Sequence, residues 1–131
     1  MTHAPYHRLV AAQIRFLEAR GWTVEVTFDG TFCREPEGRD VREDGKPRVL
    51  HLGHAVNSER KRNFRDDEAE GLLRDEEVVY LRANGYERFP GMQGPSVDAW
   101  RKGKRTFFWT EKAVNSQRAH DEWALKRERS R

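Results

Sequence analysis

Hydrophobic and polar positions alternate along this chain with two periods, and they divide it into helical and extended stretches. Residues 5–20 carry Leu9, Val10, Ala12, Ile14, Phe16 and Leu17 at helical spacing, with Arg8, Arg15, Glu18 and Arg20 largely outside that face. Pro5 suits the first turn and Gly21 the stop. From Trp22 to Phe28 the period changes to two: Trp22, Val24, Val26 and Phe28 are expected to point inward, and Thr23, Glu25 and Thr27 outward. Asp29-Gly30 is a hairpin signal, with Thr31-Phe32-Cys33 as the start of a return strand.

Residues 34–48, with Pro36, Gly38, Gly45 and Pro47 among many charges, read as an exposed loop. A short strand follows at 48–52. A basic stretch from His54 to Arg65 has helical character, and Asp66, Asp67, Glu68 and Glu70 suit the start of a further helix. That helix carries Leu72, Leu73, Val79 and Leu81 as apolar positions and stops at Asn84-Gly85, with Gly71 as a point of interruption. Tyr86 to Ser96 reads as a loop, 104–110 as a strand centred on Phe107-Phe108-Trp109, and 111–127 as the last helix, with Val114, Trp123 and Leu125 turned inward. Residues 127–131 are expected to fray.

These elements predict a small single α+β domain over 1–131, its helices packed on a small, mainly antiparallel sheet. Two segments echo each other. Ala55-Val-Asn-Ser-Glu-Arg60 matches Ala113-Val-Asn-Ser-Gln-Arg118 at all but one position, and Leu17-Glu-Ala-Arg-Gly-Trp22 parallels Leu81-Arg-Ala-Asn-Gly-Tyr86. Two readings stand: an internal duplication of a helix, strands, helix unit over 5–65 and 72–128, or coincidence in a short chain.

Composition narrows the function classes. Charge is segregated along the chain: residues 66–98 hold three Lys/Arg against nine Asp/Glu, and residues 99–131 hold ten against four. Such asymmetry fits internal pairing or two surfaces with different partners. Of the 25 cations 19 are Arg, and Arg binds phosphate and carboxylate in a fork that Lys lacks; a GC-rich coding sequence accounts for the same excess. Cys33 is the one cysteine. It cannot form an internal disulfide or anchor an ordinary cysteine zinc site, and it reads as a passive structural thiol. No apolar run suits a membrane span and no leader pattern opens the chain, so a cytoplasmic protein is expected.

The candidate chemistry is electrostatic. Arg101, Lys102, Lys104 and Arg105 lie beside Phe107, Phe108 and Trp109, and a nucleic-acid surface uses cations for phosphates and rings for bases. The rings are more simply core, while the cations read equally as phosphate contacts or as solvated charges. Arg60, Lys61, Arg62 and Arg65 form a second basic run, which local acids are equally placed to neutralise. Lys112 and Arg118 on the last helix complete the candidate set. Lys112-Ala113 and Gly94-Pro95 are similar to positions of double-stranded RNA binding domains, but the lysine pair and the histidine of that pattern are absent and membership is not assigned. His51 and His54 do not have the spacing of a His-Asn-His nuclease, and no phosphate loop, dinucleotide fingerprint or nucleophile elbow is present.

The expectation is therefore a non-enzymatic nucleic-acid-binding accessory protein that contacts DNA or RNA through a basic surface, with no catalytic, metal or cofactor residues assigned. The alternative is a protein-interaction module, such as a small phage-type adaptor or inhibitor, with a homodimer as one form of it. A metal-dependent hydrolase built on His51 and His54 is the weaker third.

Overall fold

Among the described residues, four helices and two small antiparallel sheets form the fold, so the α+β class holds, with two three-stranded sheets in place of one. The structure is a computed structural model that describes residues 4–28, 30–38, 47–62, 64–90, 98–107 and 109–129. The order is α1 (Ala4–Glu18), β1 (Thr23–Thr27), β2 (Gly30–Arg34), β3 (Val49–His51), α2 (Leu52–Arg62), α3 (Glu68–Ala83), β4 (Glu87–Pro90), β5 (Asp98–Lys102), β6 (Arg105–Phe107) and α4 (Thr110–Arg129). The sheets run β1-β2-β3 and β4-β5-β6. The sequence helix, three strands, helix thus occurs twice. That order does not by itself show a duplication.

Internal contacts divide the chain into a first unit, Val10–Leu73, and a second unit, Met1–Leu9 with Arg74–Arg131. The boundaries fall inside α1 and α3, so each unit takes a part of both helices.

Glycine fixes the two long-helix stops in the same way. Gly21 has φ +90° and Gly85 φ +86°, a left-handed conformation that side chains with a Cβ resist. The Trp22 N–H donates to the Leu17 carbonyl at 3.1 Å, and the Tyr86 N–H donates to the Leu81 carbonyl at 3.0 Å. The aromatic after each glycine is buried, which closes the turn over the core. At the start of α3, Asp67 Oδ1 accepts the Glu70 N–H at 3.0 Å, a side-chain cap of an orphan donor. Gly71 does not interrupt α3; its N–H donates to the Asp67 carbonyl at 3.0 Å and the helix runs on to Ala83.

In the first unit Phe16, Leu17, Trp22, Cys33, Ala55 and Val56 are buried; in the second, Leu9, Tyr80, Leu81, Tyr86, Trp100 and Val114. Cys33 is a buried free thiol whose pKa is pushed up to about 11 by burial, which suits a structural role.

The alternation expected for Trp22 to Phe28 holds only for Trp22 and Val24. Val26 is 69% exposed and Phe28 86%. α2 packs on β2 and β3, and β1 is an edge strand, so the inward direction of its far end does not bury Val26 or Phe28. Arg20, expected outside the helix face, is buried: its guanidinium lies 3.9 Å from the Phe16 ring centroid and donates to Asp67 at 3.0 Å. The loop expected at 86–96 begins instead with β4, which pairs with β5. The strand expected at 104–110 is a hairpin, β5 turning at Gly103 into β6, and Phe107 ends it. Phe108, the central ring of that expectation, lies outside the described residues, as does most of the 34–48 loop. Trp123 is 57% exposed rather than packed. α4 is helical to Arg129, through much of the tail expected to fray.

Candidate nucleic-acid interface

β5 and β6 are joined by a tight turn at Gly103, whose φ of +61° needs a residue with left-handed freedom. Lys102 pairs with Arg105 across the turn, Arg101 with Thr106 and Trp100 with Phe107. This register sets the two faces of the hairpin. Trp100 and Phe107 point toward α4; Trp100 is fully buried and its indole N–H donates to Thr110 Oγ1 at 2.8 Å. Two residues further out, Lys102 and Arg105 point the same way and reach α4 at its surface. Lys102 Nζ donates to Gln117 Oε1 at 3.3 Å, and Arg105 Nη2 donates to Ser116 Oγ at 3.4 Å. Arg101 lies on the opposite face, 3.5 Å from Glu87 across the strand pair.

Arg101, Lys102, Lys104 and Arg105 are therefore brought together on one exposed hairpin. Rings anchor the inward pair without neutralising it: Lys102 Nζ lies 5.2 Å from the Tyr86 ring centroid, and the Arg105 guanidinium 5.2 Å from that of Phe107. The Tyr86 hydroxyl has its pKa raised by burial, with the Arg105 charge opposing that shift. Arg88 on β4 adds a cation that reading 86–96 as a loop concealed; its guanidinium sits 4.9 Å from the Trp100 ring centroid. Lys112 is exposed on the first turn of α4.

Behind the hairpin, polar groups continue inward along α4. Gln117 Nε2 donates to Asp121 Oδ1 at 3.0 Å, and the buried Tyr80 hydroxyl donates to Asp121 Oδ2. Burial, then the Asp121 hydrogen bond and charge, drive the Tyr80 pKa far upward. Tyr6 is pushed up to about 12, chiefly by burial and then by the Glu122 charge. Arg118, expected at the interface, has only 12% of its side chain exposed and pairs with Glu122 at 2.9 Å.

The other expected cations lie in the first unit. Arg60 is sequestered, with 9% of its side chain exposed and its Nε 3.2 Å from Glu70 Oε2. Lys61 and Arg62 are exposed on the last turn of α2, and Arg65 is exposed before α3, where its carbonyl accepts a bond from Arg20 at 3.5 Å. The acidic run at 66–70 thus serves helix capping and internal pairing. His51 is exposed and tilts against Phe32 at a centroid distance of 5.0 Å, and His54 is exposed on α2. Among the described residues, no group of three or more His, Cys, Asp or Glu is placed to hold a metal ion, and no helix is long and apolar enough to cross a membrane.

Sequence reasoning did not single out Arg88, Ser116 or Gln117. The signal for the last two was present in the Ala-Val-Asn-Ser echo, which starts at the fourth residue of both α2 and α4. No family model matches the chain, and neither a curated protein nor a solved structure matches it.

Proposed function

We propose that the protein is a non-enzymatic nucleic-acid-binding protein whose β5–β6 hairpin meets the phosphate backbone. The observation that carries this is the gathering of Arg101, Lys102, Lys104 and Arg105 on one exposed two-stranded projection. Phosphate contacts supply affinity through release of condensed counterions, and the three to four phosphates that these four cations can neutralise give a slope of log affinity against log salt of about −2 to −4. Fluorescence anisotropy with labelled single- and double-stranded DNA and RNA tests this. Binding that weakens with that slope supports the proposal; salt-independent binding, or none at low salt, overturns it.

A second reading, a protein-interaction module, is favoured by Trp109 and Trp123, which are 49% and 57% exposed in the same unit. Large exposed aromatics serve as interface anchors. Capture of a protein partner that survives nuclease treatment and is lost in the double variant Trp109→Ala, Trp123→Ala distinguishes this reading.

A further inference from the structure

We infer that Lys102, Arg105 and Ser116 form a seat for one phosphate group of a nucleic-acid backbone, with Gln117 holding Lys102 in place. The inference rests on the proposed function and gives the hairpin a specific contact.

The two sheet–helix junctions of the molecule can be compared position by position. In the first unit the cross-strand pair Cys33 and Leu50 marks the face that α2 covers. Two residues further along both strands stand Glu35 and Arg48, joined through the Glu35 N–H and the Arg48 carbonyl at 3.0 Å. The Arg48 guanidinium binds the Glu35 carboxylate and also lies 3.4 Å from Ser58 Oγ. In the second unit the corresponding pair is Trp100 and Phe107, and two residues further along are Lys102 and Arg105. Arg105 lies 3.4 Å from Ser116 Oγ, the same length as the Arg48 contact. Ser58 and Ser116 are each the seventh residue of their helix.

Lys102 therefore stands where Glu35 stands, and Gln117 where the buried Glu59 stands. Where the first site has a neutralising carboxylate the second has an ammonium, and where the first helix has a carboxylate the second has an amide. Among the described residues, Lys102 and Arg105 have polar contacts only to neutral side chains. The remaining chemistry suits an anion. The Ser116 oxygen accepts from Arg105, so its proton is free to rotate toward a ligand oxygen. The guanidinium fork, the ammonium and the hydroxyl supply three kinds of donor to one phosphate.

The test combines two measurements. Anisotropy with a labelled oligonucleotide at low salt compares the wild type with K102E, S116A and K126E. K126E makes the same charge change on α4, ten residues past Ser116. K102E recreates the carboxylate–arginine pairing of the first unit, so it is expected to fold with an unchanged or higher Tm and to lose at least about tenfold in affinity. S116A is expected to show a smaller loss, and K126E less than about threefold. If K102E does not fold, K102Q replaces it, with an expected loss larger than that of K126E. In parallel, amide resonances of Ser116 and Gln117 are followed during titration with inorganic phosphate; they are expected to shift saturably in the wild type and not in K102E. Equal losses for K102E and K126E, with no phosphate shift at Ser116, overturn the seat while leaving the hairpin reading intact. No oligonucleotide binding by the wild type overturns both, and a saturable phosphate shift in that case reassigns the residues to free phosphate.

Discussion

The two sheet–helix junctions of this molecule share a backbone frame and differ in how they close it. In the first, Arg48 meets Glu35, whose side chain is 2% exposed, and the junction is an ion pair. In the second, Arg105 meets Lys102, and two cations stand side by side over Tyr86 and Phe107. Directly opposed like charges cost roughly 0.2–1 kcal/mol in a sheet. A small cost of that kind is tolerable at an exposed hairpin and gains a purpose if an anion binds there. On the proposed reading, the same arginine position serves stability in one unit and recognition in the other.

Making the same change at both arginines breaks this comparison most sharply. Arg48→Gln leaves a buried Glu35 carboxylate without its guanidinium and is expected to cost about 3–5 kcal/mol of stability. Arg105→Gln removes an exposed cation and is expected to change stability by less than about 0.5 kcal/mol while weakening oligonucleotide binding. Urea unfolding of both variants, with anisotropy on Arg105→Gln, measures the contrast; comparable stability losses would end it.

A smaller effect is expected behind the second junction. Tyr80→Phe deletes the hydroxyl that donates to Asp121. Hydrogen bonds to charged groups contribute about 1.5–3 kcal/mol, and a loss of that size in urea unfolding is expected. Binding should hardly change, because Gln117 still accepts from Lys102; a large loss of affinity would show that the inner contacts set the hairpin rather than merely support it.

The pH dependence separates the units further. Tyr6 and Tyr80 have folded pKa values above their unfolded value, so their contribution is complete below about pH 10 and is lost as pH rises through the folded values. Phenolate absorbance should show Tyr6 titrating near pH 12, and alkaline unfolding should begin in the second unit. Asp67 in the first unit is lowered, first by the Glu70 N–H and also by Arg20. Its contribution is present above the ordinary aspartate value and is lost as pH falls below it. Asp67→Ala should therefore flatten the acid limb of a Tm–pH profile. A profile parallel to that of the wild type counts against the cap.

Much of this frame was legible in the chain. Gly21 with Trp22 and Gly85 with Tyr86 marked two helix stops, because φ above zero strongly favours glycine and the following ring must be buried. Val26 and Phe28 misled, because a period of two gives the direction of a side chain and not the reach of the helix that would cover it. β4 and β5 were hidden for a related reason: Ala99 and Trp100 are the buried residues of a strand otherwise written in charges, and Arg88 packs on Trp100 as a cation rather than as an apolar side chain. Arg60 and Arg118 looked like surface cations because local sequence does not show which carboxylate they meet. The proposed seat depends on register, which places Lys102 opposite Arg105 and aligns the pair with Glu35 and Arg48.

The most direct test of the account is the salt dependence of oligonucleotide binding by the wild type and by the double variant Lys102→Gln, Arg105→Gln. The wild-type slope is expected to be about −2 to −3, and shallower by about 1 in the variant, because Lys102 and Arg105 share one phosphate whose counterions then stay in place. Equal slopes for the two proteins would contradict it.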